Sequence, residues 1–146
     1  MRSRDPQHLH PLLRPIYHRH LEVARKMGLD VFNTDTFRDN EVQDHLYAQG
    51  RTRPGAIVTN ARGGESPHNT RLRGLPAALA YDLAFVRARS SSGRIIAATW
   101  DEKMPWNVLG AIGLGLGLEW GHFFPSPEMP HFQFVDWRAL RDTMTP

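Results

Sequence analysis

Leu12, Leu13, Ile16, Leu21, Val23, Ala24 and Met27 recur at close to helical spacing and stop at Gly28, so the pattern predicts an amphipathic helix over residues 9–27. Pro11 and Pro15 disturb its first turns. DVFNTDTF, residues 30–37, alternates as a strand does, and Asn40 with Gln43 forms a capping box for a helix through HLYAQ to Gly50. Residues 51–78 hold no sustained period and are expected to be mostly loop, with a short strand at AIVT. From Leu79 to Val86 the alternation is that of a buried strand, with Tyr81, Leu83 and Phe85 on one side and Asp82, Ala84 and Val86 on the other. RARSSSGR, residues 87–94, reads as a surface loop between strands. A helix from about Pro105 to Leu114 ends in GLGLGLEWG, and HFQFV then places His131, Gln133 and Val135 together, opposite Phe132 and Phe134. Phe123, Phe124, Phe132, Phe134 and Trp137 are assigned to the core. Helices and short strands without regular βαβ alternation predict an α+β domain, a small antiparallel sheet flanked by helices.

Composition narrows this picture. At 146 residues and 40% hydrophobic the chain can bury one core, so a single domain over 1–146 is expected. The net charge of +3 comes largely from arginine, which favours phosphate or carboxylate partners. The absence of cysteine excludes disulfides, thiolate metal sites and a thiol protease, so a zinc ion would have to be held by histidine and carboxylate. The N-terminal stretch has no apolar run of signal-peptide or membrane-span length, so a protein made in the cytoplasm without a signal peptide and without membrane insertion is expected. Gly110, Gly113, Gly115 and Gly117 follow a helix rather than a strand and lack a GK[ST] partner, which argues against a phosphate-binding loop. No nucleic-acid reader motif is present.

In PEMPHFQF, Glu128 stands three positions before His131, and Pro127 and Pro130 favour a bend that could send both side chains into one cavity. His68, Asp82 and His131 would together make an N2O1 ligand set, the three-ligand arrangement of a catalytic zinc site, with Glu128 left free to move a proton. His8, His10, His18 and His20 form a poor alternative, because His18 and His20 diverge on a helix. His45 reads as an exposed helix residue, and His122 as a neighbour of the WG pair.

The stretch TFRDNEVQDHLYAQGRTRPGAIVTNARGGESPHN, residues 36–69, resembles phage endolysin peptidases of the LAS family of zinc metallopeptidases. The shared elements are Arg38 with Gln43, Ser66 to His68, Ala80 to Asp82, the GLEWG stretch, and Glu128 to His131, and the likeness covers about residues 28 to 135. It implies zinc held by His68, Asp82 and His131, with Glu128 as general base and acid and Arg38 binding the substrate carbonyl. Ser66 and Gln43 would orient the site, and Trp120 would wall the cleft on the sheet. One departure stands out: Asp82 follows His68 by fourteen positions, where the family pattern has only a handful. Longer loops close at modest entropic cost. Arg71 and Arg73, in the inserted stretch 69–79, read as solvated loop charges rather than contacts to an acidic stem peptide.

The expected function is therefore a monomeric zinc-dependent peptidoglycan hydrolase of the endolysin type, bacteriolytic in phage lysis. Its single catalytic domain over 1–146, with no separate wall-binding domain, would cleave the L-alanyl-D-glutamate bond of stem peptides and reach the cell wall by holin-dependent release. The alternatives are a D,D-peptidase of the same family and a catalytically silent module binding murein or nucleic acid.

Overall fold

The computed structural model describes residues 1–145. Its elements run α1 (Arg14–Lys26), β1 (Val31–Asp35), α2 (Asn40–Ala48), β2 (Arg71–Leu72), β3 (Leu75–Pro76), β4 (Ala80–Arg89) and β5 (Ile95–Thr99), then α3 (Trp106–Gly115), β6 (Leu118–Trp120), β7 (His131–Phe134) and α4 (Trp137–Thr143). The sheet has the order β1-β4-β7-β6, with β5 pairing the far end of β4, and every pairing in it is antiparallel. Together these make the α+β architecture expected from the pattern.

Strand β4 organises the molecule. Its odd positions Tyr81, Leu83 and Phe85 are buried and join Phe132 of β7 beneath α1 and α3, which contribute Tyr17, Leu21, Ala24, Trp106 and Leu109. Asp82 points the other way and pairs across the strands with His131. The glycine run of α3 is explained by this packing: a Cβ on Gly110 would lie 2.3 Å from the Trp120 ring, and one on Gly113 would lie 2.6 Å from the Phe132 ring. Those glycines let the helix approach the sheet and cradle no phosphate.

Several local expectations change. The helix predicted over 9–27 begins only at Arg14: Pro11 and Pro15 have no amide hydrogen to donate, and residues 11–13 close as a turn on the His10 carbonyl. Residues 6–8 instead form a single 3-10 turn, and His8 and His10 exchange backbone hydrogen bonds with Ala78. Asp39, not Asn40, caps α2, its carboxylate accepting from the Val42 amide. AIVT forms no strand. The inserted stretch after His68 folds into the hairpin β2–β3, and β6 and α4 are elements with no periodic signature of their own. Phe123 is 69% exposed, since its 3-10 turn projects it outward instead of into the core. Among the described residues no helix is long and apolar enough to cross a membrane.

Candidate metal centre and cleft

Three separate pieces of chain deliver the central side chains. Asp82 and His131 are cross-strand neighbours on β4 and β7, so the pleat sends both to the same face. His68 comes from the 3-10 turn Pro67–Asn69, capped by Ser66, whose hydroxyl accepts from the His68 amide at 3.2 Å. That turn is tied down twice: the Leu79 amide donates to the Pro67 carbonyl at 2.8 Å, and the Arg38 amide donates to the His68 carbonyl at 3.0 Å. Asn69 completes the brace, its Nδ2 donating to the Arg38 carbonyl at 2.9 Å.

The result is a nearly equilateral triangle of ligand atoms. His131 Nδ1 lies 3.1 Å from Asp82 Oδ1, His68 Nε2 lies 3.3 Å from His131 Nδ1, and His68 Nε2 lies 3.4 Å from Asp82 Oδ1. Bonds of about 2.0–2.1 Å to a tetrahedral zinc ion would separate neighbouring ligand atoms by about 3.3–3.4 Å, so the donor set fits that ion. This is the one such cluster of histidine, cysteine and carboxylate among the described residues. The N-terminal histidines form no second one: His20 is buried in the core between the Tyr81 hydroxyl and the Leu109 carbonyl, while His18 is exposed.

The tautomers are set by the surroundings. His68 Nδ1 faces the Thr36 carbonyl at 2.6 Å, which can only accept, so Nδ1 carries the hydrogen and Nε2 presents a lone pair to the centre. His131 Nε2 faces Gln133 Oε1 at 2.8 Å, and the amide is held in that sense because its Nε2 donates to Glu119 Oε2, also at 2.8 Å. His131 therefore turns Nδ1 inward. Asp82 divides its oxygens, Oδ1 towards the histidines and Oδ2 towards Arg38 Nη2 at 2.7 Å.

Arg38 is itself buried and almost fully engaged. Its Nε and Nη2 donate to Asp35 Oδ2 at 3.2 and 2.9 Å, and its Nη1 donates to Gln43 Oε1 at 3.2 Å. Of the five guanidinium hydrogens one remains, on Nη1. Gln43 reaches on to the Thr59 hydroxyl and the Ala61 carbonyl, fixing the loop that forms one wall of the cleft.

Glu128 stands 4.0 Å from His131 Nδ1 and about a third of its side chain is exposed to the cleft. Burial pushes its carboxyl above the ordinary value, although His131 and Arg38 pull the other way. Burial alone would also raise Asp82, but His68, His131 and Arg38 overcome it and hold that carboxyl well below the usual range. Burial and the nearby Arg38 charge depress His68, whereas the hydrogen bond and charge of Asp82 lift His131 against the effect of its burial.

The GLEWG stretch gains its meaning here. Leu118 enters the core, Glu119 orients Gln133, and Trp120 Nε1 donates at 2.8 Å to the Met129 carbonyl, between Glu128 and His131. At Gly121 a Cβ would lie 2.3 Å from the Glu128 carbonyl oxygen, so only glycine lets that turn close. Trp120 thus supports the turn from behind and does not wall the cleft, a position taken by Phe124 and Trp137. His122 is exposed and stacks on Trp120. Arg71 lies over the Phe37 ring and, like Arg73, lines neither half of the cleft. Of the supporting groups, Asp35, Thr36, Asn69, Glu119 and Gln133 had no assigned role in the sequence. The nearest signal was Gln133 sharing a strand face with His131.

Two cavities meet at the centre. One, of about 640 Å3, is lined by Ser66, His68, Glu128, His131, Phe124 and Trp137. The other, of about 780 Å3, extends over the open face of the sheet and shares Arg38, Val58, Thr59, Asp82 and Pro130 with the first. A long substrate can therefore pass the centre with groups on both sides of it.

No family profile matches the sequence. The chain is similar to the peptidoglycan L-alanyl-D-glutamate endopeptidase CwlK of Bacillus subtilis (strain 168), with 36% identity over 139 residues that take in 89% of this chain and 75% of that protein.

Proposed function

The chain belongs to the LAS family of zinc metallopeptidases, and from that premise we propose that it is an endopeptidase hydrolysing the L-alanyl-D-glutamate bond of peptidoglycan stem peptides. The observation carrying this reading is the triangle of His68, Asp82 and His131 at the meeting point of a cleft open on both sides, with Glu128 beside it. An endopeptidase needs room for substrate on either side of the scissile bond, and the second cavity supplies it.

His68 Nε2, Asp82 Oδ1 and His131 Nδ1 would hold the zinc, which when bound supplies Lewis acidity towards a carbonyl oxygen and makes water acidic near neutral pH. Glu128 takes a proton from the attacking water on its carboxylate and hands it to the leaving nitrogen, a shuttle suited to a carboxyl raised by burial. Arg38 holds Asp82 in place through Nη2 and offers its remaining Nη1 hydrogen to the carbonyl oxygen as negative charge gathers there. Losing a donor of that kind costs about 10²–10³ in kcat. Ser66 fixes His68 through the turn it caps, and Gln43 fixes Arg38. The lytic, endolysin-type use of this activity is part of the same proposal.

The test is mass spectrometry of murein digested by the purified protein. New L-alanine carboxyl ends and D-glutamate amino ends are expected, lost on chelation and restored by zinc, whereas release of D-alanine would replace this reading with the D,D-peptidase. Glu128→Gln should keep zinc and lose at least about 10²-fold in turnover. Full activity in that variant would remove Glu128 from the reaction.

A further inference from the structure

Glu128 lines only one of the two halves of the cleft. The other half runs over the open face of the sheet, where Phe32, Thr34, Ile96 and Trp100 form its floor and wall and Arg2 and Arg4 its lip. Trp100 is 53% exposed and Ile96 57%, while the other three tryptophans, Trp106, Trp120 and Trp137, are all buried. A half-bare indole beside a bare isoleucine, continuous with a catalytic cleft, is a surface that gains from being covered.

Its occupant follows from the direction of the chemistry, and so rests on the endopeptidase reading above. The leaving nitrogen must reach Glu128 to receive its proton, so the amine half of the substrate lies on the Glu128 side and the acyl half crosses to the Trp100 side. In murein that acyl half is a single alanine, its nitrogen in amide linkage with the lactyl carboxyl of N-acetylmuramic acid. One residue spans at most about 3.6 Å, far too little to occupy a cavity of about 780 Å3. The next group along is the sugar.

Charge agrees with this assignment. On the Trp100 side Arg2 and Arg38 are matched by Asp35 and Asp82, leaving Arg4 as the cation with no acidic partner among the described residues. On the Glu128 side Arg138 can meet a carboxylate, while Glu65 and Glu119 can meet an amine, a setting for the charged D-glutamyl and diamino-acid residues. A neutral amino sugar belongs on the less charged side. We propose that the Trp100 half of the cleft is a glycan subsite, in which the indole of Trp100 stacks against the N-acetylated sugar carrying the stem peptide and the arginine lip donates to its oxygens.

The experiment compares kcat/KM for two substrates of the zinc-loaded protein: N-acetylmuramyl-L-alanyl-D-glutamyl-diamino acid and the same peptide without the sugar. The wild type is expected to prefer the first by about tenfold or more, binding energy from the sugar being expressed in turnover. Trp100→Ala should bring that ratio close to one, and Trp100→Phe should keep most of it. As a readout free of turnover, N-acetylmuramyl-L-alanine, which has no scissile bond, should change the tryptophan emission of the Glu128→Gln protein and lose affinity when Trp100→Ala is added. Equal kcat/KM on both substrates in the wild type, or an equal loss on both in Trp100→Ala, overturns the subsite and leaves the hydrolase standing. Cleavage of neither substrate overturns both.

Discussion

Gln133→Leu tests whether the tautomer of His131 is imposed from outside the triangle. Gln133 receives the His131 Nε2 hydrogen and passes one of its own to Glu119, both at 2.8 Å. Leucine has a similar volume and no acceptor, so β7 should still pack while the imidazole loses the group that turns Nδ1 inward. Losing such outer contacts lowers metal affinity by about 10–100-fold, or about 1.4–2.8 kcal/mol. A buried donor left without a partner costs a similar amount, about 1–3 kcal/mol, but that cost falls on the folded protein with or without metal. The two effects separate in the assay: zinc dissociation constants by competition with a chromogenic chelator, alongside urea unfolding of the metal-free protein. Glu119→Gln, which retains a neutral acceptor for Gln133, should lose less affinity than Gln133→Leu. An unchanged zinc affinity in Gln133→Leu, with only the metal-free fold weakened, would refute the reasoning and reduce Gln133 to a packing residue.

Three further outcomes are expected. Burial lowers the pKa of His20 from 6.5 to about 4, so on acidification the unfolded chain takes up this proton first; stability is full above about pH 6.5 and falls by up to about 3 kcal/mol on the way to pH 4. Urea unfolding at pH 7 and 4.5 should show that loss shrinking in His20→Gln, and an equal loss in the variant would exclude His20 as its source. Gly113→Ala should lower the melting temperature, since its Cβ would lie 2.6 Å from the Phe132 ring and overpacking costs about 1–3 kcal/mol; at Gly115, where no atom lies within 4 Å, the same change should raise it. Replacing residues 71–76 by Asn-Gly should leave zinc affinity within about twofold, a change of about 0.4 kcal/mol, and a larger loss would make the hairpin part of the site.

The parts of this protein that could be read in advance are those whose signal is local or whose order along the chain is distinctive. Strand β4 announces itself through the period of Tyr81, Leu83 and Phe85, and the same period turns Asp82 to the opposite face from the core. Helix α3 lies within one residue of its expected ends, Trp106–Gly115 against 105–114. The start of α1 was lost to two prolines whose effect on the preceding turn depends on the contact of residues 8 and 10 with Ala78. Asp39 and Asn40 are both good caps by type, and tertiary structure decides between them: with Asp39 as cap, Gln43 is left to hold Arg38. The Glu119–Gln133 pair is visible only once β6 is known to lie beside β7 with those two residues in register, and a three-residue strand is too short to show a period.

The offset of fourteen positions from His68 to Asp82 shows why a sequence spacing can mislead about a site. The chain leaves its path at Thr70 and returns at Ala77, where the Ala77 amide donates to the Thr70 carbonyl at 3.0 Å and the Thr70 hydroxyl donates to the Ala77 carbonyl at 2.6 Å. Between them β2 and β3 are joined by Arg73 and Gly74, with φ of 53° and 79°, the two left-handed positions of a tight hairpin turn. The six residues 71–76 therefore close on themselves, and the distance that matters runs from His68 through the Thr70–Ala77 pair and the Leu79 to Pro67 hydrogen bond into β4. The entropy of ordering the insertion is met locally by its own pairing and by Arg71 lying over Phe37, rather than drawn from the contacts that hold the ligands. Spacing along the sequence counts residues, whereas coordination requires only that the chain come back. A hairpin sealed at its base lets an insertion of this length enter between two ligands while Leu79 and Pro67 keep the geometry.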